Sequence, residues 1–172
     1  MRLFIAINFT DEIRDALCGV SDELRALGAH GNFSRRENLH LTLSFLGETP
    51  PERLAAAIAA MDAAVFSPFT LTLGKPGRFS SDEGDLLWIG AARSHALEAL
   101  QGSLTRELIK RGFTPDKKPF RPHITIGRRI LGAPRIPESA SGVSQRVESI
   151  ELMSSERIAG QLTYKALYSR RA

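Results

Sequence analysis

Residues 40–47 read HLTLSFLG and residues 123–130 read HITIGRRI, so the chain twice writes histidine, aliphatic, threonine, aliphatic at the head of an apolar run. Both runs predict strands, with aliphatics at alternate positions. A two-residue period sends neighbouring side chains to opposite faces. In the first run His40, Thr42 and Ser44 share one face, and Leu39, Leu41, Leu43 and Phe45 the other. In the second, His123 and Thr125 share a face with Gly127, while Ile124 and Ile126 point away. The aliphatics give each strand a core side, and the His–Thr pairs must face something else. A fold of this chain has to bury two such strands and leave their polar faces free.

The remaining pattern supplies the elements around them. RLFIAIN, residues 2–8, reads as a strand. Thr10 and Asp11 then offer a helix start, and Ile13, Leu17, Val20, Leu24 and Leu27 keep helical spacing up to Gly28. A short strand is expected at 33–36. Thr49-Pro50-Pro51-Glu52 predicts a capped helix running to about Val65. FTLTLG (69–74) and LLWIGAAR (86–93) predict strands around the turn-rich SSDEGD, and Ser94 predicts a helix cap before Gly112 ends that helix. PDKKPFRP is a basic loop leading into the second motif, residues 132–144 form another loop, and strands follow at about 146–154 and 162–169. Strands outnumber helices and often follow one another directly, which favours α+β with antiparallel sheets over a doubly wound parallel fold. A helix precedes a His-strand in each half. The expectation is one 172-residue domain of two similar lobes.

No apolar run approaches the roughly 20 residues of a membrane span. Acidic residues follow the opening apolar run too soon for a signal peptide. The single Cys18 cannot form an internal disulfide and reads as core filler. These features point to a cytoplasmic chain, and no oligomer signal displaces the monomer as default. Residues 101–136 hold nine Lys/Arg against two Asp/Glu, whereas residues 1–100 hold nine against thirteen. Positive charge collecting around the second motif would attract a polyanion such as RNA. His30 and His95 read as surface residues.

Two histidines and two hydroxyls suit phosphodiester hydrolysis. An imidazole, with an ordinary pKa of about 6.5, serves near neutrality as base toward water or as acid toward a leaving oxygen. Threonine hydroxyls can donate to non-bridging phosphate oxygens. A metal site is disfavoured, because neither motif carries a second His, Cys or carboxylate at ligand spacing. No G-x-S-x-G elbow occurs for a serine hydrolase.

With these residues the sequence resembles the 2H phosphoesterase superfamily, and within it the RNA 2',3'-cyclic phosphodiesterases, also called 2'-5' RNA ligases. RLFIAINFTDEIRDAL, ENLHLTLSFLGE, LLWIGA and FRPHITIGR carry the likeness along nearly the whole chain. The resemblance implies a bilobal fold with a central cleft and cofactor-free, metal-independent opening of a terminal 2',3'-cyclic phosphate to a 2'-phosphomonoester. It also implies the reverse joining through a 2'-5' linkage. His40 becomes the proton donor, His123 the proton acceptor, and Thr42 and Thr125 the phosphate binders, although motif symmetry permits the histidines to swap. Arg128 matches a basic position of the second motif. Strict alternation turns it away from His123, so its use as a binder requires a bulge at Gly127, or the strand's end. The same parity assigns Phe45 to core packing. Arg35, Arg36, Lys117, Lys118 and Arg121 are candidate contacts to an RNA backbone. The alternatives are a 2H enzyme for a small cyclic nucleotide, ADP-ribose 1'',2''-cyclic phosphate or 2'-5' oligoadenylate, and a non-catalytic RNA-binding protein.

Overall fold

The computed structural model describes residues 1–172 and contains two antiparallel sheets over a shared core. The first sheet orders β3 (His40–Glu48), β1 (Arg2–Asn8), β8 (Ser149–Ile158) and β9 (Gln161–Arg171). The second orders β2 (His30–Phe33), β6 (His123–Leu131), β5 (Asp85–Ala91), β4 (Phe69–Phe79) and β7 (Ser144–Val147). Helices α1 (Asp11–Ala26), α2 (Leu54–Ala63) and α3 (His95–Lys110) complete the chain. No helix is long and apolar enough to cross a membrane.

From the histidine to the threonine of each motif the alternation does the work expected of it. Leu3, Ile5 and Ile7 of β1, Leu41 of β3, and Ile124 of β6 turn into one continuous core of 33 buried residues. Ile13, Leu17, Val20 and Leu24 put one face of α1 into that core, while Leu27 lies beyond the last turn and is exposed. Helix α1 packs against β6, and α3 against β3, so each motif strand leans on a helix from the other half of the chain. Each motif strand also pairs antiparallel with the strand that precedes the helix of its own half, β3 with β1 and β6 with β5. The two sheets meet where β3 lies beside β6.

Ser94 caps α3 as expected, its Oγ accepting from Leu97 N at 3.1 Å. The second helix starts differently. The Thr49 hydroxyl donates to Gly47 O instead of capping, and residues 51–53 form a 3-10 turn before α2 begins at Leu54 and ends at Ala63. The strand expected at 33–36 lies at 30–33, where the free edge of β6 offers hydrogen bonds, and residues 36–38 form a 3-10 turn. The stretch expected as one strand from 146 is two. Val147 closes against Phe69 in the second sheet, and after Glu148 the chain enters the first sheet as β8. Strand β4 runs on to Phe79 because β5 pairs with it to that point.

Candidate active site

His40 and His123 open β3 and β6, the strands that approach each other across the junction of the sheets. Their rings are held in the same way. Nδ1–H of His40 donates to Asn38 O at 2.7 Å, and Nδ1–H of His123 donates to Arg121 O at 2.7 Å. Because a carbonyl only accepts, the neutral tautomer keeps its proton on Nδ1 and leaves Nε2 with a free lone pair. Nε2 of His40 accepts from the Thr42 hydroxyl at 3.0 Å. Both histidines thus present the nitrogen that can take or give a proton, and each has a threonine two residues on along its strand.

Strict alternation fails after the threonine, and it fails identically in the two strands. Ile5 pairs with Ser44 and Ala6 with Thr42, so Leu43 is an extra residue. Leu87 pairs with Gly127 and Trp88 with Thr125, so Ile126 is extra. A bulge places two successive residues on one side and re-aims those beyond it. Leu43 and Ser44 are both buried, as are Ile126 and Gly127. Ser44 and Gly127 therefore leave the histidine face on which alternation put them. Phe45 comes to that face, opposite Phe4 of β1, and is 47% exposed with the Arg2 guanidinium 5.1 Å from its ring. Core packing for Phe45 is thereby corrected. Arg128 is turned to the cleft by the bulge at Gly127, whose own partner Phe33 packs on the core.

The electrostatics follow from this placement. His40 is wedged between Phe4, with ring centroids 4.8 Å apart, and Tyr164 of β9, at 5.1 Å edge-on. Burial pushes its imidazole below the ordinary histidine value, the Asn38 carbonyl partly opposes this, and the charges of Arg128 and His123 lower it further. Burial likewise raises the Tyr164 phenol, while Arg128 and Arg2 pull it down. Arg128 therefore reaches the His40 side of the cleft. His123 is exposed, and Trp88 stands edge-on to it at 6.2 Å.

Other basic residues are committed elsewhere. Arg36 pairs with Asp11 and Asp15, Arg35 with Glu37, and Lys110 and Arg111 with Glu107. Lys117, Lys118, Arg121 and Arg128 form no ion pair. His30 and His95 are exposed, and His30 lies in β2. Phe4, Tyr164, Trp88 and Phe79 were not singled out from the sequence. Trp88 had a signal: in LLWIGA the period sets it opposite the core residues Leu87 and Ile89. Tyr164 had none, since QLTYKALY does not say which aromatic faces the cleft.

Known proteins show the same arrangement of chain. An RNA 2',3'-cyclic phosphodiesterase of Geobacillus stearothermophilus is 34% identical over 140 residues, covering 79% of this chain and 45% of that protein. The chain thus spans less than half of the length of that relative. One from Escherichia coli K12 is 31% identical over 171 residues, covering 96% and 93%. The crystal structure of E. coli LigT complexed with 3'-AMP superposes with a TM-score of 0.86 at 29% identity, covering 99% and 97%. A family model described as the 2'-5' RNA ligase superfamily matches residues 13–157, and with both histidine motifs inside that span the chain belongs to this superfamily.

Proposed function

We propose that the chain is an RNA 2',3'-cyclic phosphodiesterase, acting without metal or cofactor on RNA that ends in a 2',3'-cyclic phosphate. The observation that carries this reading is the matched pair of imidazoles on β3 and β6, each with Nδ1–H tied to the carbonyl two residues back and Nε2 left for chemistry. One motif comes from each lobe, so the whole 172 residues act as a single two-lobed domain.

The in-line reaction assigns a role to each side chain. Nε2 of His123 removes a proton from water, and the oxygen attacks phosphorus. The P–O3' bond breaks on the opposite side, and Nε2–H of His40 delivers a proton to O3'. The product carries its phosphate on the 2' oxygen. The Thr42 and Thr125 hydroxyls donate to the non-bridging oxygens, and the Arg128 guanidinium offsets the charge that accumulates there. Exposure favours His123 as the partner of water. His40, shielded by Phe4 and Tyr164, is a stronger acid for its lowered pKa, and the phosphate anion bound beside it supports the protonated form.

The test is incubation in EDTA with a short RNA bearing a 2',3'-cyclic phosphate, followed by mapping of the product phosphate. Ring opening to the 2'-phosphate alone is expected. A 3'-phosphate product, or turnover only after divalent metal is restored, would overturn the mechanism.

A further inference from the structure

The wall beyond His123 has a feature that water activation does not use. Gly90 pairs with His123, Trp88 with Thr125, and Gly77 of β4 with Trp88, so these residues share the cleft face. Phe79, two residues after Gly77, shares it too, with its ring 5.7 Å from the Trp88 ring. The two glycines make room for the indole. A Cβ on Gly77 would come within 2.1 Å of the Trp88 ring, and one on Gly90 within 3.5 Å. The indole therefore lies over β4, and Phe79 extends the aromatic surface outward at 52% exposure. Trp88 is half-buried with its Nε1 facing inward, so the open part of the shelf is the Phe79 end and the outer indole edge.

Its side of the cleft decides its use. Attack and departure at phosphorus are in line, so what enters comes from the His123 side and what leaves goes toward His40. With the histidine roles proposed above, the O3' of the nucleoside carrying the cyclic phosphate lies at His40, on the side away from the shelf. The shelf lies on the entering side, where hydrolysis places only water. We infer that the Trp88–Phe79 shelf stacks the base of a second RNA, the nucleoside whose 5'-hydroxyl can take the place of water; the inference rests on the roles proposed above for the two histidines. In that reaction the 5' oxygen bonds to phosphorus as P–O3' breaks. The 5'-hydroxyl proton passes to Nε2 of His123 and His40 protonates O3', leaving a 2'-5' phosphodiester with no other reactant consumed. The two rings are inclined at 39°, and because an aromatic face stacks any base the shelf accepts the incoming strand without reading its sequence.

The experiment compares joining with hydrolysis in one tube, using a cyclic-phosphate donor RNA and an oligoadenylate acceptor with a free 5'-hydroxyl. Stacking of this kind commonly changes affinity by about tenfold or more per base. Phe79→Ala should lower the joining-to-hydrolysis ratio about tenfold and raise the KM for acceptor. Trp88 is the only tryptophan, so its emission reports the shelf directly. Acceptor alone should quench it, with the midpoint displaced to higher concentration in Phe79→Ala. An unchanged ratio, or no quenching by acceptor, would overturn the shelf. If wild-type protein opened no cyclic phosphate, the proposed function would fail instead, and the quenching titration would still decide whether the shelf binds RNA.

Discussion

Strands β3 and β6 both begin with a histidine fastened to the carbonyl two residues back, and both bulge one residue after the threonine, yet they bring different groups to the cleft. At the position after the bulge β3 supplies Phe45 and β6 supplies Arg128. Around the histidines the inequality runs further: Phe4 and Tyr164 close over His40, whereas His123 is open to solvent with Trp88 at its edge. A repeated strand thus gives matched geometry, and the neighbours divide the work. One imidazole is half-buried and held below the ordinary histidine pKa by that burial, and the other is exposed. Arg128 of the second strand acts on the histidine of the first, whereas its neighbour Arg129 is paired with Glu83.

The largest effect should come from removing what the strands share. His40→Ala and His123→Ala should each lower kcat/KM by roughly 10²- to 10⁴-fold. If the two act as one unit, the double variant should be hardly slower than the worse single one. Multiplying losses in steady-state kinetics would mean the histidines work independently.

The next effect separates the residues after the bulges. Arg128→Ala should cost about 10²-fold in kcat, the scale of losing one donor to transition-state charge. Phe45→Ala should cost only about two- to fivefold, through loss of its exposed contact with the Arg2 guanidinium. Equal losses at the two positions would erase the asymmetry.

A smaller effect is readable as titration. NMR of the imidazole resonances should find His40 titrating below the ordinary value of about 6.5, and Arg128→Ala should move it upward, since a cation that disfavours the imidazolium is gone. Folding then favours the neutral ring. Its contribution to stability is full above the unfolded value and is lost as pH falls through the lower folded value. Melting temperature should accordingly fall on acidification through that window, less steeply in His40→Asn. The smallest effect concerns the bulge residue itself. Gly127→Ser copies Ser44, but a Cβ there meets the Ile130 side chain at 2.8 Å, so denaturant unfolding should show a loss of about 1 kcal/mol.

Much of this was legible in the chain. The paired motifs, the apolar stripe of α1 and the Ser94 cap are local patterns, and each governs the structure where it was expected. Faces beyond Thr42 and Thr125 were not legible, because a bulge is set by pairing with another strand, and alternation read along one strand cannot see it. The same limit hid the change of sheet at Glu148, which depends on Phe69 and Arg171 as the partners of Val147 and Ser149. The basic stretch overstated the cleft's charge, since Glu107, next to these cations on α3, takes up Lys110 and Arg111.

The division of labour between the two histidines is tested most directly by removing the need for an acid. In a cyclic substrate whose 3' oxygen is replaced by sulfur, the departing thiolate requires no proton. His40→Ala should cleave this substrate at close to the wild-type rate, while His123→Ala should remain slow. Rescue of His123→Ala, with His40→Ala still slow, would contradict that division and reverse the roles.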